Sequence, residues 1–142
     1  MSDDDTVYEL SNLVALYSLE NDLEIRATKD ALVSLAKLLL VPNTRSLIIE
    51  LFEPQLTAQP YFGFVNRVLI QHQPHKVIVS RTGDTLVISG NGKSLLLFAE
   101  SVKWLATEDS NVSSHLHVVP YPDHPYLELS SCPLVVSVVE TS

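Results

Sequence analysis

The chain has one cysteine, one methionine, one tryptophan and four glycines in 142 residues. A lone cysteine excludes an internal disulfide framework, and no Cys-x-x-Cys pair exists to carry redox chemistry. Cys132 lies in Ser130-Ser131-Cys132-Pro133 just ahead of an apolar stretch and reads as a structural thiol rather than a nucleophile. Long apolar runs are missing too. Leu38 to Val41 and Leu95 to Ala99 fall far short of the roughly 18 residues that span a bilayer, so no membrane partner is expected. The opening Met1-Ser2-Asp3-Asp4-Asp5 is the reverse of a basic secretory n-region, which gives a cytoplasmic expectation. Bases are scarce: 9 Lys and Arg stand against 17 Asp and Glu, a net charge of -8. That balance opposes nucleic-acid binding, which needs clustered cations against phosphate, and favours a basic protein partner.

What is present is enough to fold. An apolar share of 46% with 18% charged residues can bury sufficient surface to offset lost chain entropy. The length suits one ordinary domain. Within it the sequence aligns with itself at a shift of about 63 residues. Leu23-Glu24-Ile25 falls on Leu86-Val87-Ile88, and Leu32, Leu35, Ala36 and Leu39 fall on Leu95, Phe98, Ala99 and Val102. With small length changes Leu47-Ile48-Ile49 answers Leu116-His117-Val118, Pro60-Tyr61-Phe62 answers Pro125-Tyr126-Leu127, and Val68-Leu69-Ile70 answers Leu134-Val135-Val136.

Each half reads as strand, strand, helix, strand, strand. In the first, Val14 to Ser18 and Leu23 to Ala27 form a hairpin across Glu20-Asn21-Asp22, whose Asn and Asp favour turns. Thr28 caps a helix whose apolar stripe is Ala31, Leu32, Leu35, Ala36 and Leu39, and Pro42 and Asn43 stop it. Ser46 to Phe52 and Phe64 to Gln71 supply the remaining strands, joined through Pro54 and Pro60. In the second half, Lys76 to Arg81 and Thr85 to Ser89 turn at Thr82-Gly83-Asp84. A helix from about Ser94 to Ala106 carries Leu95, Phe98, Ala99, Val102 and Leu105 on one stripe, with Lys103 away from it. Strands near 115 to 119 and 134 to 139 finish the unit. The expectation is an α+β single domain, residues 1–142, made of two tandem ββαββ units, about 7–71 and 76–140. They form a pseudo-dimer: one mixed or antiparallel sheet of up to eight strands, with two helices on one face.

Candidate sites are sparse. Gly92-Lys93-Ser94 joins a strand to a helix as a P-loop does, but the position five before Gly92 is Val87, so the loop is too short to wrap a triphosphate. All five histidines, His72, His75, His115, His117 and His124, fall in the second half. His115 and His117 share one face of a strand, where His124 or Glu128 would complete a metal site, yet no HExxH or facial-triad spacing accompanies them. Polar-side or interface histidines are the plainer reading. No Gly-x-Ser-x-Gly elbow is present and the acids are scattered rather than paired, so the chain reads as a non-enzyme without a cofactor. Glu20, Asp22 and Glu24 cluster at the first hairpin, which suits either solubility or electrostatic steering of a basic partner. Tyr8, Tyr17, Tyr61, Tyr121, Tyr126 and Trp104 are the available aromatic anchors.

Residues 76–140 carry a further pattern: Leu86-Val87-Ile88-Ser89-Gly90, a Leu-rich helix, His115-Leu116-His117-Val118, Pro125-Tyr126-Leu127 and Ser131-Cys132-Pro133-Leu134-Val135-Val136. It resembles small bacterial immunity proteins of the polymorphic-toxin type. The resemblance implies a small cytosolic protein that binds and neutralises a cognate toxin domain, acidic members facing basic nuclease toxins. The leading expectation is therefore partner binding through Glu20, Asp22, Glu24, His115, His117 and Tyr126. A small-ligand or metal-binding domain using His115, His117 and His124 is the alternative, and an adaptor that forms a homodimer is a third.

Overall fold

A computed structural model describes residues 5–41, 46–51, 63–107 and 115–139. Pro42 and Asn43, Phe52, Pro54, and Pro60, Tyr61 and Phe62 lie outside the described residues, as do Asp3 and Asp4. In chain order the elements are β1 (Asp5–Leu10), β2 (Leu13–Tyr17), β3 (Leu23–Ala27), α1 (Lys29–Leu39), β4 (Ser46–Leu51), β5 (Gly63–Val65) and β6 (Arg67–His72). They continue with β7 (Ile78–Thr82), β8 (Thr85–Gly90), α2 (Gly92–Thr107), β9 (His115–Val118) and β10 (Leu134–Val138). The fold is α+β.

The single sheet expected from the sequence is replaced by two five-stranded mixed sheets, ordered β1-β4-β6-β8-β7 and β5-β2-β3-β10-β9. The division arises because the second strand of each hairpin pairs with the closing strand of the other half: β3 runs parallel to β10, and β8 parallel to β6. Read from the hairpin outward, β7-β8-β6-β4 and β2-β3-β10-β9 show the same sequence of antiparallel, parallel and antiparallel pairings. In that comparison β9 stands where β4 stands.

The run Phe64 to Gln71, expected as one strand, is two. β5 pairs with β2 in one sheet and β6 with β4 and β8 in the other. The break falls at Asn66, whose backbone N–H donates to Asp84 O at 2.7 Å and whose Nδ2 donates to Asp84 Oδ2 at 2.6 Å. Its carbonyl accepts from Leu51 N–H at 3.0 Å. Both backbone groups of this corner residue thus have partners while the chain changes sheets. β1, not foreseen, runs parallel to β4 from Asp5 beside Ser46 to Leu10 beside Leu51.

Period-two burial explains which faces meet. Leu47 and Ile49, Val68 and Ile70, Leu86 and Ile88, and Leu134 and Val136 are buried at alternate positions of their strands. They join Leu32, Leu35 and Leu39 of α1 and Leu95, Phe98, Val102 and Leu105 of α2 in one apolar cluster. Both helices start on capped ends, as expected for α1: Thr28 Oγ1 accepts from Ala31 N–H at 3.2 Å, and Asn91 Oδ1 accepts from Ser94 N–H at 2.8 Å. Asp30 in the first turn of α1 and Lys37 in its last oppose the helix dipole favourably. The stretches 23–41 and 86–104 both run from a strand into a helix.

α1 packs along α2. A cleft of about 250 Å3 between them is lined by Val33, Ala36, Lys37, Leu40, Leu96, Ala99, Glu100 and Lys103. These residues are four pairs at one offset of 63 positions: 33 with 96, 36 with 99, 37 with 100, and 40 with 103.

Candidate partner-binding site

β9 forms one edge of its sheet, and alternation sorts its side chains. Val118 is buried and Leu116 half-buried on the core side, while His115 and His117 are exposed on the other. The two imidazoles share a face as expected, with ring centroids 6.1 Å apart.

A polar chain ties this edge to the sheet interior. Ser137 Oγ donates to Glu24 Oε2 at 2.7 Å, and Glu24 is ion-paired to Arg26 Nε at 3.1 Å. The hydroxyl has only one proton, so His115 Nδ1, 3.1 Å from Ser137 Oγ, is the donor in that contact. Such an arrangement fastens β3, β10 and β9 together and does not activate a nucleophile, which would require the serine proton to face the imidazole.

Glu24 therefore corrects one sequence expectation. It is 8% exposed, on a strand face rather than at the hairpin surface, because Arg26 and Ser137 supply the partners a buried carboxylate needs. Glu20 and Asp22 are exposed at the turn. Their N–H groups both donate to Ser18 Oγ, at 3.1 and 3.0 Å, and Asn21 adopts the left-handed conformation with φ 66°. The three acids are thus divided, and β10 lies between β3 and β9 in the sheet.

Tyr126 is likewise buried rather than presented outward. Its ring lies 5.8 Å from that of Phe98 and meets His124 edge-on at 4.6 Å. Burial raises its phenol pKa, against a side-chain hydrogen bond with Ser101 that lowers it. Tyr126 shares an open cleft of about 410 Å3 with Leu97, Glu100, Ser101, Trp104, Leu116 and Pro125. Trp104, on the wall of this cleft, is 58% exposed. Tyr121 is exposed too, its ring 4.6 Å from His124. The helical pattern carried the signal for Trp104, since it falls off the stripe of Leu95, Phe98, Ala99, Val102 and Leu105. Nothing in the sequence linked Glu100, Leu97 and Pro125 to β9.

The metal alternative is not supported by geometry. Among the described residues no three His, Cys, Asp or Glu side chains converge on a point that could hold an ion. His124 is buried, and its Nδ1 accepts from Tyr126 N–H at 3.2 Å and Leu127 N–H at 3.1 Å. Both bonds require that nitrogen unprotonated. Burial lowers its pKa, helped by the Lys76 ammonium, which donates to His124 O at 2.8 Å. His75 Nδ1 lies 2.6 Å from Lys76 O, and His72 is half-buried at the end of β6. Burial raises the Cys132 thiol, as does Asp22, against a smaller opposing effect of Arg81. The thiol form that results suits a packing residue.

Comparison with known proteins bears on what this surface serves. The family model for Immunity protein 32 matches residues 22–40 and 85–139, covering β3 with α1 and the stretch from β8 through β10. The chain belongs to the Immunity protein 32 family. No curated protein matches it. As an Immunity protein 32 member it falls among immunity proteins of the polymorphic-toxin type, and the family suggests a toxin-neutralising role through a protein partner. The matched segments contain Trp104, Leu116, Pro125 and Tyr126 of the open cleft, and all of β9. No described helix is long and apolar enough to cross a membrane.

Proposed function

We propose that the protein is a non-enzymatic immunity protein that neutralises a basic toxin domain by covering it, with the α2–β9 cleft as the contact face. The observation that carries this reading is Trp104, a large aromatic 58% exposed on the wall of an apolar cleft. Solvent-exposed tryptophan beside a preformed pocket is the composition of a binding hot spot. Glu100 places a carboxylate in that cleft, and Glu20 and Asp22 add to the negative field from the hairpin turn. With a net charge of -8, such a field accelerates encounter with a cationic partner and weakens with salt. His115 and His117 lie on the other face of β9, away from this cleft. We read neutralisation as taking place in the cytoplasm. We also read the two halves as copies of one ββαββ unit, a view favoured by the matching strand pairings and the four offset pairs between the helices.

Co-purification from the native host, with mass spectrometry and a graded salt wash, tests the function. A basic polypeptide should be retained, should leave as salt rises, and should be retained less by the Trp104→Ala variant. If no polypeptide is retained, or retention ignores both salt and Trp104→Ala, the reading is wrong.

A further inference from the structure

We infer that the partner contributes an extended segment that adds to the free edge of β9 as a sixth strand. This rests on the partner-binding reading above. The two sheets share one order of pairings outward from their hairpins, and β9 occupies the position of β4. The outer edge of β4 is filled by β1, paired in parallel over six residues. Among the described residues the outer edge of β9 pairs with no strand. The fold thus shows, at the corresponding place, what such an edge accepts.

The hydrogen-bonding directions can be deduced. Leu23 N–H donates to Pro133 O at 3.1 Å, and Val139 N–H donates to Ala27 O at 2.9 Å. Odd-numbered residues of this segment therefore direct their backbone groups toward β3, and even-numbered ones toward β9. Leu134 and Val136 face Val118 and Leu116, so those pairs carry the β9–β10 ladder. His115 and His117, opposite Ser137 and Val135, must then point their N–H and C=O groups at the open edge. β9 contains no Lys or Pro, the residues by which natural edges discourage addition. Leu116, on the face opposite the two imidazoles, lines the Trp104 cleft. Alternate side chains of an added strand would fall toward that cleft, and Glu100 there suits a basic residue among them.

His117→Pro is the discriminating change. It removes an outward N–H while leaving the β10 ladder intact, so the variant should keep the wild-type melting temperature. His117→Ala removes the imidazole and keeps the N–H. The probe is the basic polypeptide recovered by co-purification and then produced in pure form, titrated against the full chain. His117→Pro should weaken its binding roughly tenfold or more, with His117→Ala near wild type. His115→Pro, which removes the other outward donor, serves if His117→Pro fails to fold. Equal binding by wild type and a folded proline variant overturns strand addition and leaves the immunity reading standing. Retention of no polypeptide by the wild type overturns both. If the proline variant instead converts a wild-type homodimer to monomer without changing affinity for the probe, the edge serves a second copy and the inference is wrong.

Discussion

Glu20→Lys and Glu24→Lys are the same chemical change four residues apart, and the structure assigns them opposite consequences. Glu24 is ion-paired to Arg26 at 3.1 Å and accepts from Ser137 at 2.7 Å, with side-chain exposures of 11% for Glu24 and 25% for Arg26. Breaking a buried pair by removing one partner costs about 3–5 kcal/mol, and the partial exposure of Arg26 reduces this to about 2–3 kcal/mol. The Ser137 hydroxyl, deprived of its acceptor, adds about 1 kcal/mol. A total of about 3–4 kcal/mol corresponds to a fall in melting temperature on the order of 10 °C for a chain of this size. Glu20→Lys, at an exposed turn, should change stability by less than about 0.5 kcal/mol. Thermal and urea unfolding followed by circular dichroism separate the two. If Glu24→Lys melts with Glu20→Lys, the claim that Glu24 is a structural carboxylate is refuted. The consequence for function is practical: of the three hairpin acids only Glu20 and Asp22 report on electrostatic steering, because a change at Glu24 alters the folded population first.

Three further outcomes are expected. The folded state holds His124 neutral with a lowered pKa while the unfolded chain takes up its proton near 6.5. Its contribution to stability is therefore complete above about pH 6.5 and is lost as pH falls below that toward the folded value. Melting temperature between about pH 7.5 and pH 5 should fall more for wild type than for His124→Asn, whose amide oxygen can replace the Nδ1 acceptor. Thr28→Ala and Asn91→Ala should each cost about 1 kcal/mol by urea unfolding, since each removes the acceptor of a helix-end N–H. Gly90→Ala should cost about 1–3 kcal/mol, because its Cβ would lie 3.0 Å from Val77 Cα and 3.1 Å from Val77 N, backbone atoms with little room to move. A Gly90→Ala protein that unfolds at the wild-type urea concentration would show that this close approach does not constrain the fold.

Local elements were legible wherever a face is buried on one side. The stripes of Leu32, Leu35 and Leu39 and of Leu95, Phe98 and Val102, the Thr28 cap and the turns at Asn21 and Gly83 follow from short-range chemistry. The exchange of hairpins between halves did not, because β6 pairs equally well by pattern with β4 alone or with β4 and β8. Hydrophobic alternation fixes a strand's face and not its neighbour. The break at Asn66 was hidden for a similar reason. Its cause is a contact with Asp84, 18 residues away, inside a run that is apolar on both sides. β1 was missed because its Val7 and Tyr8 are exposed and give no core signal. At the candidate site, the shared face of His115 and His117 was readable from period two. The burial of Glu24 and Tyr126 was not, since it depends on Ser137, Phe98 and His124 arriving from distant segments.

Trp104 is the only tryptophan, so a fluorine label on its indole gives a single resonance reporting on the contact face. Addition of the co-purifying polypeptide to 5-fluorotryptophan-labelled protein should shift that resonance and protect it from a soluble quencher, as the exposed ring becomes covered. An unshifted, fully accessible resonance in a saturated complex would contradict binding at the α2–β9 cleft.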